Sequence, residues 1–502
     1  MRNFLKRNKN TPIGRSVRKT RYSLHIFSAK VEDTYEDASE MLEKALARTI
    51  RVTERIKLLN LIKLLTVLTI IYVLIFTVIS RGTNTGLVLV NDAMELEVIA
   101  TGFIVLGLNL LYILWQAYLT LRYKPHDLVP DDQLPTCAVI VPAFNEGKQV
   151  YPTLMSIVNN DYPADKLKII TVNDGSDDDT IAWMQKAAAD SKGRITVIDL
   201  PENKGKRNAL YQGIMSVETE VFVTVDSDSE LLKDTLKQLV SPLAADKKIG
   251  GVAGNIRVLN LNEGLIPQIL DVSFVYGFEF TRSAQSRIGS VLCTPGALSA
   301  YRRNMLVPHL DGWLNEKFLG KPAKIGEDRG IANLLLEQGA TVVFQRNAVA
   351  FSKMPTSFGG LCKMLIRWAR SNFRENFSMM RFAFKRCSWN WLGLQINMIM
   401  LYIWMFTPML FLISSTVSIV KDAMAFFYSA VTVITLWSTI PAFFYACRYG
   451  KNESLWAYVY GFLNFFALFW IPPYALLTIH ESGWMTRNSK KKQKEAKPEE
   501  QV

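Results

Sequence analysis

Histidine and cysteine are scarce in this chain, and neither is grouped. The 502 residues contain four histidines and five cysteines. Cys137, Cys293, Cys362, Cys387 and Cys447 are scattered without a Cys-x-x-Cys pair. That spacing excludes a zinc site or a disulfide framework of the usual kind and points to a reducing compartment around the soluble part. A histidine-rich metal centre is excluded on the same ground. No Gly-x-Gly-x-x-Gly is present, so nicotinamide or flavin chemistry is unsupported, and the lack of GxxxxGK[ST] argues against an ATP-hydrolysing P-loop. No internal repeat is evident, and the opening "MRNFLKRNKN" lacks the apolar core of a cleavable signal peptide.

What the chain has instead is apolar and basic residues in blocks. Hydrophobic residues make up 49%, charged residues 21%, and the formal net charge is +13. A positive excess suits nucleic acid, anionic lipid or an anionic substrate. Lysine and arginine crowd the first sixty residues and the tail "KKKQKEAK", both beside apolar runs, while the interior holds many acids. That distribution favours a lipid surface and no nucleic-acid partner.

Two early apolar runs, about 64–80 and 98–120, are each long enough to cross a hydrocarbon core of about 30 Å as a helix. Basic residues flank the pair on its outer sides, which predicts a hairpin with both ends in the cytoplasm. Further runs lie at about 392–417, 423–447 and 455–478. The last contains "WIPPYALL", whose prolines break a helix, and a lysine-rich tail follows it. A bent or re-entrant segment that keeps this tail inside is therefore expected.

Between the two apolar regions the texture changes. "CAVIVPAFN", "LKIITVNDGS", "ITVIDLPEN" and "EVFVTVDSDS" are β-branched runs ending in Asn, Asp or Gly, separated by helix-length stretches. Strand, polar turn and helix in repetition predict a parallel sheet with crossover helices. Ligands of such sheets bind beyond the carboxyl ends of the strands, where the turns gather.

Two of these turns are acidic, at Asp174 to Asp179 and at Asp226 to Glu230. One acidic turn alone serves equally as a helix cap. Asp226-x-Asp228 after "VFVTV" goes further, presenting two hard oxygen donors on one turn, suited to Mg²⁺ or Mn²⁺ that also holds a diphosphate. Between the turns, "NKGKRN" opens a helix with basic residues around a glycine, a pattern that binds phosphate. Near the apolar C-terminal region, "LIRWARSNFRENF" alternates basic and aromatic residues, as an interfacial helix would.

The ordered set "VIVPAFNEG", "VNDGSDDDT", "NKGKRNAL", "VDSDS", "CTPGALSAYRR", "GEDRGIANLLLEQG" and "RWARSNFRENF" resembles the family 2 glycosyltransferases. More narrowly it resembles the processive membrane synthases: hyaluronan synthases, rhizobial chitin-oligosaccharide synthases and, more distantly, cellulose and poly-N-acetylglucosamine synthases. The closing "YALLTIHESGWMTR" resembles the end of the chitin and hyaluronan group. The likeness covers about residues 139 to 487.

The resemblance implies an α/β GT-A-type domain, with a mixed, mostly parallel sheet, inserted between transmembrane helices of a polytopic protein. It divides the chain into a basic cytoplasmic segment 1–57, a transmembrane hairpin 58–122, a cytoplasmic transferase domain 130–355, interfacial helices 356–390, a transmembrane or re-entrant region 391–480 and a basic tail 481–502. It assigns Pro142, Asn145 and Glu146 to the border of the nucleotide pocket, Asp174 to the uridine, Lys206 to the diphosphate, and Asp226 and Asp228 to the metal. Asp328, with Glu327 beside it, matches the general base; Arg367 goes to the diphosphate or neighbouring acids and Trp368 under the acceptor sugar. Gly296, Tyr301 and Arg302 would line the acceptor side, with Cys293 either there or in a buried structural position. Arg370, Phe373, Arg374 and Phe377 would anchor the helix at the membrane surface. One position departs from the family's Gln-x-x-Arg-Trp: the glutamine is Met364.

The activity implied is inverting transfer from a UDP-sugar to a growing β-linked polysaccharide, which leaves through the membrane helices of the inner membrane. UDP-N-acetylglucosamine or UDP-glucose is the expected donor, with UDP-glucuronate added if the product is hyaluronan-like. Besides the bilayer, a second copy of the chain or an accessory export protein remains open as a partner. The alternatives are a transferase adding one sugar to a lipid carrier, and a transporter or scaffold with an inert transferase domain.

Overall fold

The computed structural model describes residues 59–72, 75, 93–385 and 389–481. The expectations for the basic N-terminal segment, the tail beyond 481, the end of the first apolar run and the loop that follows it lie outside these residues. The chain divides into two units, Met1–Val67 and Leu68–Val502; within the first, the described residues belong to the short apolar helix Leu59–Tyr72.

The second unit is built on an eight-stranded sheet. Its strands are β1 (Cys137–Ala143), β2 (Leu167–Asn173), β3 (Ile195–Asp199), β4 (Val221–Thr224), β5 (Ser229–Leu231), β6 (Ile249–Val258) and β7 (Ser299–Arg302). A two-stranded hairpin, β8 (Lys317–Phe318) and β9 (Lys321–Pro322), stands apart, and β10 (Thr341–Ser352) completes the sheet in the order β3-β2-β1-β4-β7-β6-β10-β5. Strands β3, β2, β1 and β4 run parallel. Strand β7 is antiparallel to both neighbours, and β6 returns parallel to β10. The mostly parallel, mixed sheet expected from the sequence is therefore present.

All seven residues of β1 are buried. This is the mark of a strand covered on both faces, and it explains the unbroken apolar run rather than an alternating one. One face carries Leu154, Ile157, Leu239 and Leu270 in its core and the other Leu210, Ile214, Leu335 and Phe344. Because β1, β2 and β4 point the same way, the turns that follow Ala143, Asn173 and Thr224 meet at one edge.

Among the described residues, three helices are long and apolar enough to cross a membrane: Ile104–Arg122, Trp391–Thr416 and Phe426–Arg448. Many of their large side chains are exposed, among them Leu111, Leu121, Leu410 and Phe443, a surface suited to lipid rather than water. The run Trp389–Arg448 is broken at Asp422, whose φ of −155° and ψ of 95° are not helical. The pair Asn452–Phe466 and Ile471–Leu477 is bent by 49°, where Pro472 and Pro473 open the second helix.

A buried polar clamp joins the end of the third apolar helix to the elements packed on the sheet. Glu279 is fully buried and accepts from Arg448 at 2.7 Å, from Asn255 at 3.2 Å and from the Tyr449 hydroxyl. Asp271, one helix earlier, accepts from Arg257 at 3.0 Å and Tyr445 at 2.9 Å. Glu279→Ala strips the counter-charge from Arg448 and two further donors. The variant is expected to lose about 3 kcal/mol of stability, read as a lowered unfolding temperature of the purified protein; an unchanged transition would show the clamp to be energetically idle.

Candidate functional site

The three turns at the sheet edge are tied together by hydrogen bonds. Asn145, at a positive φ of 51°, accepts from the Asp177 amide at 2.9 Å and donates its own amide to Ser176 Oγ at 3.0 Å. Glu146 Oε1 accepts from Ser227 Oγ at 2.7 Å, so this carboxylate braces the Asp226-Ser227-Asp228 turn from behind. Asp174 is buried, and its two oxygens accept the amides of Lys204 at 3.0 Å and Gly205 at 2.8 Å. Burial pushes the Asp174 carboxyl up, and these two amides work against that.

Lys206 is the first residue of helix Lys206–Met215. Its ammonium lies 2.6 Å from Asp226 Oδ1 and 2.7 Å from Glu327 Oε1. Burial alone would lower the lysine pKa, but the two carboxylates raise it well above its ordinary value. Burial would likewise raise Glu327; Lys206, with help from Arg367, instead brings it down to about 2. Gly296 forms the floor beneath this pair, where a Cβ would sit 2.6 Å from Lys206 Nζ and 3.3 Å from Asp226 Oδ1.

Asp328 stands beside Glu327 at the start of helix Glu327–Glu337. Its Oδ1 accepts the Arg329 amide at 2.8 Å, and Oδ2 faces the Cys293 thiol at 3.5 Å. Burial, then the neighbouring Glu327 charge, push the Asp328 carboxyl up, the direction that makes a carboxylate a better proton acceptor. Cys293 is half-buried, and burial followed by the Asp328 charge pushes its thiol up to about 12. It is a neutral partner of the aspartate, not a thiolate nucleophile.

Pro142, Asp174, Lys206, Asp226, Asp228, Cys293, Gly296, Glu327, Asp328, Arg367 and Trp368 all line one cleft of 1270 Å³. Trp368 stands 5.9 Å from Phe274 between ring centres, and Met364, in place of the family's glutamine, is a buried apolar part of the wall. Asn145 and Glu146 are not in the lining and act through the turns they brace. Tyr301 is a correction. It sits in the middle of the sheet, 1% exposed, with its ring 5.2 Å from Phe222 and its hydroxyl on Thr294 Oγ1 at 2.9 Å. Arg302 is turned away too, bonded to the carbonyls of Ile249 and Leu243.

The membrane-anchor reading of "RSNFRENF" is also overturned. Arg370 and Arg374 are each 2% exposed, and Phe373 is buried. Arg370 bonds Thr478 and Glu481, and Arg374 bonds the carbonyl of Ile325. A guanidinium that finds a carboxylate and carbonyls inside the protein has no need of a headgroup.

Sequence reasoning missed Arg282 and Arg329. Arg282 ends a π-helical stretch, Tyr276–Arg282, a wider coil that no 3.6-residue periodicity reveals. Its guanidinium covers the Phe278 ring at 3.5 Å, and its buried Nη1 has no hydrogen-bond partner. Arg329 Nε and Nη2 are unpartnered as well, and both arginines line the cleft near Asp328.

Among the described residues no three His, Cys, Asp or Glu side chains form a metal-holding group. Asp226 and Asp228 nevertheless fit Mg²⁺ or Mn²⁺ as a partial oxygen set that diphosphate and water would complete. The charge of the lining agrees: six acidic side chains (Asp174, Asp226, Asp228, Glu263, Glu327, Asp328) face five basic ones (Lys206, Arg282, Arg329, Lys353, Arg367). Such a surface attracts a diphosphate anion poorly unless a divalent cation comes with it.

The profile "Glycosyltransferase like family 2" matches residues 135–371. An N-acetylglucosaminyltransferase of Rhizobium sp. (strain N33) is 30% identical over 377 residues, covering 74% of this chain and 81% of that protein. A hyaluronan synthase of Streptococcus pyogenes is 28% identical over 396 residues, covering 78% and 90% respectively. Among solved structures, a mannosyltransferase from Pyrobaculum calidifontis, in complex with GDP-Man and Mn²⁺, superposes with a TM-score of 0.52 at 20% identity, over 78% of this chain and 99% of that one. This last likeness is one of fold, the GT-A type.

Lys206→Met leaves Glu327 buried without its cation and is expected to cost about 3–5 kcal/mol at neutral pH. In the wild type the pKa of Glu327 is depressed, so its stabilisation is present above the ordinary carboxylate range and lost as pH falls toward about 2. The deficit of the variant should therefore be largest near pH 7 and shrink below pH ~4. Unfolding temperatures of both proteins across that range check it; a constant gap contradicts it.

Proposed function

This chain belongs to glycosyltransferase family 2, and on that footing we propose that it polymerises a β-linked polysaccharide from a UDP-sugar at the cytoplasmic membrane face and passes the product across the membrane. The observation that carries the reading is a single cleft. Lys206, Asp226 and Asp228 line one part of it and Asp328 and Trp368 another, and its wall includes Leu401 of an apolar helix. Donor chemistry, acceptor chemistry and an entry to the membrane helices are then contiguous. The relatives include N-acetylglucosaminyltransferases and hyaluronan synthases by name, which supports UDP-N-acetylglucosamine as the donor and UDP-glucuronate as a further one; UDP-glucose is the alternative donor.

The acceptor sugar stacks an apolar face on Trp368, whose indole suits pyranose C–H groups. Asp328 takes the proton of its terminal hydroxyl as that oxygen attacks the anomeric carbon. The bond from that carbon to the diphosphate oxygen breaks, its electron pair leaves with UDP, and the configuration inverts. Lys206 and Arg367 hold the diphosphate by charge. Mg²⁺ or Mn²⁺ on Asp226 and Asp228, when bound, neutralises negative charge on the leaving diphosphate. Glu327 keeps Lys206 in place.

Incubating the full chain in lipid with each UDP-sugar and Mg²⁺ or Mn²⁺ tests this, with released UDP and product size as readouts. A polydisperse, hydrolase-sensitive polysaccharide is expected; a single glycolipid product would contradict polymerisation. Asp328→Asn should lower turnover roughly 10²–10⁴-fold with UDP affinity unchanged. Because the Asp328 carboxyl is pushed up, by burial and then by Glu327, the acid limb of kcat/KM should lie above the ordinary aspartate range. Activity is lost as pH falls through that raised value, and a limb at or below pH ~4 would remove Asp328 from the role.

A further inference from the structure

We infer that Arg374, with Arg207, Trp313 and Thr294, is a positioning residue that fixes the pose of Asp328 by gripping the backbone that carries it. The inference rests on Asp328 being the proton acceptor. Four consecutive carbonyls, from residue 325 to residue 328, each meet a side-chain donor from a different part of the chain. Arg374 Nη2, on helix Phe358–Ala383, donates to the carbonyl of Ile325. Arg207 Nη2 stands 3.5 Å from the carbonyl of Gly326, Trp313 Nε1 3.3 Å from that of Glu327, and Thr294 Oγ1 3.0 Å from that of Asp328. Inside a helix, carbonyls are met by amides four residues on. Side-chain donors added over the entry turn fix the direction in which the helix, and Asp328 with it, enters the cleft.

The grip has two further parts. Gly326 adopts φ +78°, and a Cβ there would overlap Ser371 Oγ and lie 2.9 Å from Arg374 Nη2. Helix Phe358–Ala383 therefore bears directly on the turn. Behind it, the fully buried Glu375 carboxylate lies 3.5 Å from Arg374 and 3.7 Å from Arg207, and Asn333 donates to its other oxygen at 3.1 Å. One acid thus holds both arginines against the turn. Arg207 also follows Lys206, whose ammonium touches Glu327, so a single helix end holds residue 326 by its backbone and residue 327 by its side chain. A base that must reach an acceptor hydroxyl loses rate steeply when displaced: roughly 100-fold for about 1 Å.

Arg374→Lys keeps the charge opposite Glu375 but loses the planar fork. In the full chain, with UDP as the binding probe and UDP-N-acetylglucosamine or UDP-glucose for turnover, kcat is expected to fall about 30-fold. Donor KM and UDP Kd should stay within about twofold. Should Arg374→Lys fail to fold, Arg207→Lys reads the same split between kcat and KM. Wild-type kcat in the folded variant, or UDP affinity falling in step with kcat, overturns the inference. Asp328→Asn run in parallel separates the two levels. If it turns over at the wild-type rate, the proton-acceptor reading fails; if its turnover collapses while the lysine variants work normally, only the positioning role fails.

Discussion

The contact on which the rest of the site depends is the Lys206 ammonium held between Asp226 and Glu327, at 2.6 and 2.7 Å. It joins three stretches of chain: the helix after β3, the acidic turn after β4 and the entry to helix Glu327–Glu337. The buried Glu327 carboxylate would be costly without a partner, and the cation offsets that cost while also engaging the partly exposed Asp226. The same ammonium is the natural partner for a diphosphate. In the proposed function, donor binding and the placing of the neighbouring Asp328 are therefore linked through one charge.

Helix Phe358–Ala383 carries this coupling outward. Arg367 and Arg374 are seven residues apart, two turns along one face, with Trp368 next to the first. Arg367 and Trp368 line the cleft, while Arg374 reaches the turn that carries the acid pair. Arg370, between them, bonds Thr478 and Glu481 beyond the bent helix pair. A single rod thus touches the cleft wall, the turn before Asp328 and the apolar C-terminal region, which in the proposed function are the donor and acceptor sides, the base and the membrane part. Addition of a sugar and movement of the chain would share a mechanical part.

The sheet was legible because its physics is local. A strand buried on both faces needs an unbroken β-branched run, and β1, β2 and β4 each show one, ending in the polar turn that forms the cleft edge. Asp226-x-Asp228 was legible as two oxygen donors on one turn, whereas Glu327-Asp328 alone reads as an ordinary helix start and was singled out only by the resemblance. The arginines were not. Arg370 and Arg374 beside aromatic residues look like headgroup anchors in one dimension, because their true partners, Glu481 and the carbonyl of Ile325, are far away along the chain. Arg282 was hidden by a π-helical stretch that shifts its side chain off the helical period. Tyr301 lies on the central strand β7, and only its pairing with both β4 and β6 reveals that it faces the core.

The central claim is that a uridine nucleotide is seated over Lys206 and the Asp226–Asp228 turn, in the cleft that also holds Asp328 and Trp368. A cryo-electron microscopy map of the full chain with UDP and Mn²⁺ tests it most directly. The account predicts diphosphate density contacting Lys206, the cation on Asp226 and Asp228, and the uridine beside Asp174. A nucleotide seated outside this cleft, or bound within it without touching Lys206 or the two aspartates, would contradict it.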